Sequence, residues 1–455
     1  KSMTQNKLAV SASTPTILAI GDIHLGTRPS SVPHEDLEFD AHELTPEAAL
    51  ELATNFAIDM SVDAVLFAGD VVESTNARFE ALRPLQRCLQ RLIEHGIQVM
   101  GVAGNHDFEA LPRLADQLPE FKLLGAGGVW ETMRITSKGT AFVEIVGWSF
   151  DRKRVDTSPL MELIHGSVGL EDHGLPRIGL LHCDLGVAAS VYAPVVRQEL
   201  ESTKVQTWLL GHIHKPSLQI QGEGGGPSVG YLGSLMGLDP SETGVHGPWL
   251  LSFPSGQLSS AEQIPLAPLR WQHISVDIES IADPEDIGDR ILVAMKSFVE
   301  TLAHEPNRPK AIGFRVHLRG AVEVPNDVRL GVEQGRWVGI GHIIDSITLF
   351  TNKVFDETDL VLDLHAIAAG DDPPALLAQK IVALLDNGEA ARELLDQARA
   401  RLTQVSEQLV WQPLTEVRNA RDPLDDGELK NLLLRAGRAA LYQLLAQRTQ
   451  DGAPP

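Results

Sequence analysis

An α/β fold with mostly parallel strand pairing is what this sequence predicts. Three observations lead there. Short apolar runs that stop at glycine recur through the first half of the chain. Stretches with apolar residues at helical spacing separate the first three of these runs. Acidic, amide and histidine side chains follow the runs directly, which is where open α/β sheets gather their functional groups.

The elements follow in order. Residues 16–21 (Thr-Ile-Leu-Ala-Ile-Gly) read as a fully buried strand. Residues 46–60 place Ala49, Leu52, Ala53, Phe56 and Ala57 at helical spacing. The run beginning at Asp63 and ending at Gly69 is a second buried strand. Residues 79–95, with Leu82, Leu85, Leu89, Leu92 and Ile93 on one side, form a second helix. The run from Ile97 to Gly104 is a third strand. Further strands are expected near 141–148, 177–182, 207–211 and 229–233, and Gly222 to Pro227 is a loop. The connector Gln263-Ile-Pro-Leu-Ala-Pro marks a change of module. Beyond it come a strand from Trp271 to Asp277, a helix from Ile287 to Leu302 and an alternating strand from Ile312. Residues 375–448 are helical. Asp371-Asp-Pro-Pro caps their start, and two apolar faces stand out. One carries Leu394, Leu395, Ala398, Leu402 and Val405. The other carries Leu429, Leu432, Leu433, Ala436, Ala440, Leu441 and Leu444.

At 455 residues the chain exceeds one ordinary core, so two or three domains are expected. The reading places them at 1–268, 269–351 and 352–455. Hydrophobic residues at 43% and charged residues at 22% are those of a soluble globular protein. No apolar stretch approaches the roughly 20 residues that span a bilayer, and Lys1 to Val10 lacks the apolar core of a secretory signal. Two cysteines, Cys88 and Cys183, are too few for a disulfide framework and favour a reducing, cytoplasmic setting. The net charge of −23 argues against strong autonomous binding to nucleic acid, unless bound cations or a partner supply positive charge.

Seven side chains with metal-ligand chemistry follow the strand runs: Asp22, His24, Asp70, Asn105, His182, His212 and His214. Side chains two apart on an extended strand point the same way, so Asp22 with His24, and His212 with His214, can each reach one cation. Asp70 has two oxygens and can bridge two. The division that uses all seven gives one cation Asp22, His24, Asp70 and His214. The other takes Asp70, Asn105, His182 and His212. Two cations about 3.5–4 Å apart can hold a hydroxide and both phosphoryl oxygens for in-line attack. His106 is then left without a metal, to stabilise the pentavalent phosphorus or protonate the leaving oxygen, and Asp107 is expected to orient it. Mixed N and O donors suit Mn²⁺, Fe or Zn²⁺. Taken singly, Gly21-Asp22 and Gly104-Asn105 are as readily turns; the joint order favours the chemical reading. Cys183, beside His182, is expected to be a small buried residue. His34, His42, His95, His165, His173 and His246 are expected at the surface.

Gly21-Asp-Ile-His, Gly69-Asp, Gly104-Asn-His-Asp, His182 and Gly211-His-Ile-His together resemble the calcineurin-like metallophosphoesterase superfamily, over about residues 1–250. The resemblance implies a β-sandwich flanked by helices. Asp22-Ile-His-Leu-Gly, Tyr231-Leu-Gly-Ser and the segment from Glu242 to Leu251 look like the SbcD-type DNA-repair nuclease branch. Asn76-Ala-Arg-Phe-Glu and Tyr192-Ala-Pro look like the YhaO-like exonucleases. For such proteins the resemblance implies two divalent ions, Mn²⁺ foremost, a DNA substrate, an SMC-like coiled-coil ATPase partner and a homodimer, with no membrane role. It makes 269–351 a small α+β DNA-capping domain, or a lid that only shapes the pocket. It makes the helices beyond 375 the partner-binding region, or a packed domain or dimer contact. One position departs from that branch: Glu73 stands where a second histidine is usual, and it is read as a solvated helix-start acid. A metallophosphatase or small-molecule phosphodiesterase on the same site is the alternative.

Overall fold

The structure, a computed structural model, describes residues 14–450 apart from 34–39, 74–78, 166–169, 172, 188, 221–225, 280, 282, 306, 323–324, 361–362 and 407–424. Of the residues named above, Lys1 to Val10, His34, Asn76-Ala-Arg, most of the Gly222–Pro227 loop and 407–424 of the helical region lie outside the described residues.

The first half builds two sheets. β1 (Thr16–Ile20), β2 (Ala64–Phe67), β3 (Gln98–Gly101) and β4 (Phe121–Leu123) pair parallel in that order. β5 (Trp130–Ser137) pairs antiparallel with β6 (Thr140–Trp148), which continues in parallel through β7 (Arg177–His182), β8 (Thr207–Gly211) and β9 (Ser228–Tyr231). β10 (Trp249–Ser252) returns to lie antiparallel beside β1, and β11 (Ser260–Gln263) completes that edge.

Side-chain alternation assigns each strand two partners. Ile17, Ala19, Ala64, Leu66, Met100 and Val102 share one buried cluster with Val143, Ile145, Ile178, Leu180 and Leu209, so the two sheets pack face to face. The intervening residues Leu18, Ile20, Val65, Phe67 and Val99 face outward into a second cluster. That cluster is closed by α1 (Pro46–Met60), α2 (Phe79–Glu94) and α3 (Ala110–Gln117) through Leu50, Ala53, Leu89, Leu92, Leu111 and Leu114. On the far side, Trp208, Leu210, Val146 and Leu181 pack with Leu160 and Leu163 of α4 (Leu160–Ile164) and Leu200 of α5 (Arg197–Glu201). The result is a four-layer α/β/β/α sandwich, the α/β class expected. Each fully buried aliphatic side chain contributes about 1.5–3 kcal/mol of the stabilisation. α1 starts where the sequence stops the preceding loop: the Thr45 hydroxyl accepts the Ala48 N–H and Pro46 takes the first helical position.

Beyond the sandwich, α6 (Ile287–Thr301) follows β12 (Leu269–Asp277), and β13 (Ala311–Arg319) leads to the short β14 (Ala321–Val322), α7 (Pro325–Glu333), β15 (Gly341–Ile344) and β16 (Ile347–Asp356). One four-stranded sheet runs in the order β12-β13-β16-β15. β17 (Asp359–Leu360) pairs with β14. The helices α8 (Leu364–Ala368), α9 (Pro373–Asp386), α10 (Glu389–Ser406) and α11 (Asp426–Gln450) follow.

The compact units do not divide at 268 and 351. The first takes the chain up to Ile274 together with Ile291–Val316 and Trp337–Val354; the second takes Ser275–Arg290, His317–Arg336 and the chain from Phe355 onward. The reason is shared core. Trp271, Ala311 and Phe350 are buried in the same cluster as Leu235, Leu266 and α1, so the expected boundary would cut through packed side chains. In the second unit, Asp372 caps α9 by accepting the Ala375 N–H. Ala378 and Ile381 of α9 pack on Leu441, with Leu434 and Leu445 alongside. The apolar face of α11 is therefore rotated from the expected one: Leu429 and Leu441 are buried, while Leu432 is 49% exposed. Among the described residues no helix is long and apolar enough to cross a membrane. Cys88 and Cys183 are both free thiols in the core.

Candidate metal centre

Because β1, β2, β3, β7 and β8 run the same way within their sheets, their carboxyl ends gather the residues that follow them. Asp22, Asp70, Asn105 and His182 are almost fully buried there, and His24 is 6% exposed. The loops are tied to one another: the Ile23 and His24 N–H groups both donate to the Asp70 carbonyl at 3.0 Å. Glycines permit the crowding. A Cβ at Gly104 would fall on the Asp70 carboxylate, and one at Gly69 would lie 2.7 Å from His182 Nδ1.

Three clusters of donor atoms lie among the described residues: Asp22, His24 and His214 converge, so do Asp70, His182 and His212, and His24 also meets Glu73 and His106. In the first, His24 Nε2 stands 3.1 Å from His214 Nε2. The other nitrogen of each ring is occupied by a carboxylate: His24 Nδ1 lies 3.3 Å from Glu73, and His214 Nδ1 donates to Glu242 at 2.8 Å. With both Nδ1 atoms carrying the proton, two lone pairs face each other, an arrangement that a shared cation would stabilise. In the second cluster, His182 Nδ1–H donates to the Ala68 carbonyl at 3.0 Å, which turns its Nε2 toward Asn105 Oδ1 at 3.1 Å and Asp70 Oδ2 at 3.2 Å. A cation there would replace the proton that Nε2 shares with these oxygens. Asp22 Oδ1 lies 3.9 Å from His182 Nδ1, so the clusters adjoin. The donor sets therefore fit two divalent cations.

The structure departs from the extended-strand picture at three of these positions. His24 (φ 56°), Asp70 (φ 49°) and His212 (φ 100°) occupy left-handed backbone, which non-glycine residues hold only when their surroundings enforce it. At His212 the enforcing contact is its N–H, which donates to Asp22 at 3.0 Å. His212 and His214 point to different clusters, the same split as in the division of the seven ligands between two cations. His212 Nε2 faces Asp184 at 3.4 Å, which leaves Nδ1 for Asp70 and His182.

His106 lies at the rim with its side chain 32% exposed, and its N–H donates to Asp70 Oδ1 at 2.9 Å. Asp107 does not orient it. The Asp107 carboxylate is fully buried and accepts the N–H groups of Gly104 at 2.7 Å, Val71 at 2.6 Å and Val72 at 3.4 Å. It ties the loop after β3 to the loop after β2. The partner of His106 is Glu73, whose Oε1 meets His106 Nδ1 at 2.9 Å while Oε2 reaches His24. Glu73 is thus neither solvated nor at a helix start; its N–H donates to Leu25 as the chain leaves β2. Sequence reading missed Glu73, Asp184 and Glu242 as histidine partners. Only Asp184, two residues past His182, had a positional signal. His246, expected at the surface, is 3% exposed, whereas His42, His95, His165 and His173 are exposed. Cys183 is fully buried in the core, as expected.

The metal-free electrostatics show how tightly the site is coupled. The hydrogen bond from His24, then that from His106, holds Glu73 at about 2 against its burial. Burial pushes Asp70 up, but the His182 imidazole more than reverses this and holds it well below the usual carboxylate range. Burial alone would lower His182; the Asp70 carboxylate raises it to about 9. Burial, reinforced by Asp70, pushes Asp107 up to about 7.

The sequence is similar to those of known proteins. Residues 15–216 match the calcineurin-like phosphoesterase family. The chain is 26% identical over 266 residues to the metallophosphoesterase YhaO of Bacillus subtilis, covering 58% of this chain and 63% of that protein. It is 34% identical over 114 residues to the DNA double-strand break repair protein Mre11 of Methanosarcina mazei, covering 25% of this chain and 17% of that one. With Mre11 of Methanocaldococcus jannaschii it shares 24% over 200 residues, 44% of this chain and 51% of that one. The chain thus spans less than two thirds of the length of each of these relatives. Among solved structures, a dimetal phosphatase from Danio rerio overlaps 52% of this chain and 92% of its own at 15% identity and a TM-score of 0.33. The paired donor clusters at the strand ends and the family match over the same residues lead to one conclusion: this chain carries a calcineurin-like metallophosphoesterase domain.

Proposed function

We propose that the protein is a two-metal phosphodiesterase that hydrolyses DNA, a repair exonuclease or endonuclease working with an SMC-like ATPase. In this reading Asp22, His24 and His214 hold one cation, Asp70, Asn105, His182 and His212 hold the other, and Asp70 is shared. The single observation that carries the hydrolase reading is the pair of converging donor clusters beside an imidazole that belongs to neither metal set. Bound divalent cations, Mn²⁺ foremost, would polarise the phosphate and activate water at neutral pH.

The chain's own groups do the rest. Glu73 holds His106 by Nδ1, so Nε2 is the atom left to face the leaving oxygen and hand it a proton. Glu242, Asp184 and the Ala68 carbonyl each fix one ring, so that its other nitrogen keeps a lone pair for the cation. Asp107 keeps Asp70 and Asn105 in register by holding their two loops together. DNA as substrate is supported by the likeness to Mre11, a DNA double-strand break repair protein. The capping role of the α+β module and the partner-binding role of α8–α11 belong to the same proposal, as does a homodimer.

The second reading, a phosphatase or small-molecule phosphodiesterase, is favoured by the net charge of −23 and by the Glu73 carboxylate at the site. Turnover of bis-p-nitrophenyl phosphate, its monoester, and single-stranded and nicked DNA with Mn²⁺ decides between them. The DNA reading expects cutting of DNA and of the diester, both lost in His106→Ala. Rapid monoester turnover with DNA left intact would instead establish the phosphatase.

A further inference from the structure

A buried polar chain leads away from His214 through the segment between β9 and β10. Glu242 Oε1 accepts the His214 Nδ1–H at 2.8 Å. Its second oxygen, Oε2, accepts the Ser234 hydroxyl at 3.2 Å and the Leu238 N–H at 3.0 Å. Ser234 is 1% exposed, and its own N–H donates to the His214 carbonyl at 2.9 Å. Behind it sits His246. Its Nδ1 lies 3.0 Å from the Ser234 hydroxyl oxygen and 3.1 Å from the Ser234 carbonyl, and its Nε2 lies 3.2 Å from the Glu242 carbonyl. Both nitrogens of this imidazole therefore end on the two residues that touch His214.

Burying an imidazole and a hydroxyl costs free energy wherever an apolar side chain could pack, unless their hydrogen bonds are satisfied. Here the polar contacts all converge on one candidate ligand. A glutamate held by a single contact would sample several rotamers; Glu242 is held at both oxygens and at its carbonyl. Its orientation sets which way the His214 ring faces, and so whether Nε2 meets His24 Nε2.

We propose that Ser234 and His246 are positioning residues for the cation of Asp22, His24 and His214: they lock Glu242, which locks His214 in its ligating orientation. The inference rests on the reading of His214 as a ligand. Partners of this kind typically set metal affinity by about 10–100-fold.

The test is calorimetric titration of Mn²⁺ into the metal-stripped full chain, with melting of the metal-free proteins recorded alongside. His214→Ala is expected to abolish one of two binding events. Ser234→Ala and His246→Gln are expected to weaken that same event by about 10-fold and to leave the other unchanged, while Ser234→Thr, which keeps the hydroxyl, restores it. A readout independent of metal is the ¹⁵N signature of the His214 ring: the Nδ1–H tautomer in the parent protein, a mixture in Ser234→Ala. If His214→Ala loses the event but Ser234→Ala and His246→Gln bind as the parent does, the positioning chain is refuted, and lowered melting without weakened binding refutes it equally. If His214→Ala itself binds like the parent, the ligand assignment fails and the proposal with it.

Discussion

Replacing Asp107 by Asn separates a loop tie from a catalytic orienter. The Asp107 carboxylate accepts two strong N–H bonds, from Gly104 and Val71, inside a fully buried pocket. An amide keeps one acceptor and turns an NH₂ group toward the other N–H. One backbone donor then loses its partner, at about 1–3 kcal/mol, and the new NH₂ is itself unsatisfied. Relief of the buried charge, which burial and Asp70 have pushed up to about 7, offsets part of this. A net loss of about 2 kcal/mol lowers the melting temperature by roughly 5 °C, from about 2–4 °C per kcal/mol for a unit of this size. The companion variant is Glu73→Gln. Its side chain is only 14% exposed and meets two imidazoles, so the change costs about 1–3 kcal/mol, and it loosens His106. Scanning calorimetry of both variants is paired with kcat on bis-p-nitrophenyl phosphate and on a dinucleotide, whose leaving alkoxide needs a proton. Asp107→Asn should melt early. Glu73→Gln should melt somewhat early too, but its signature is a loss of about 10-fold in kcat, chiefly on the dinucleotide. Normal melting of Asp107→Asn with activity as low as that of His106→Ala would refute the loop-tie reasoning and return Asp107 to the orienting role.

Three further outcomes follow from the same geometry. Gly104→Ala drives a methyl group into the Asp70 carboxylate and should abolish the binding of at least one metal, measured by elemental analysis after desalting. His182, raised above its ordinary 6.5 to about 9, stabilises the metal-free protein fully below pH 6.5 and loses that stability as pH climbs through 9, about 3 kcal/mol in all; calorimetry of stripped protein from pH 6 to 10 should show the fall, and His182→Asn should flatten it. Because that ring is protonated at neutral pH without metal, loading Mn²⁺ at pH 7 should release at least one proton, seen as a dependence of the binding heat on buffer ionisation enthalpy.

The sandwich was legible because its strands are short apolar runs closed by glycine, and because α1 carries a Thr45-Pro46 start signal and a 3.6-residue stripe. The candidate ligands were legible for the same reason: each follows such a run. Backbone handedness was not. Nothing in Gly211-His-Ile-His announces a φ of 100° at His212. The carboxylate partners were hidden because they are distant in sequence: Glu242 lies 28 residues from His214 and Glu73 lies 49 from His24. The proximity of Asp107 to His106 in sequence was misleading, since its side chain points into the core to bind backbone N–H groups. The unit boundaries were misplaced because a Pro-rich connector marks a loop, not the limit of a core that continues through Trp271 and Phe350.

Anomalous diffraction from crystals grown with Mn²⁺ tests the central claim most directly. Two peaks about 3.5–4 Å apart, one beside Asp22, His24 and His214 and one beside Asp70, Asn105, His182 and His212, with His106 bound to neither, are the result expected. A single peak, or a metal held by His106 and Glu73, would contradict the two-cation centre.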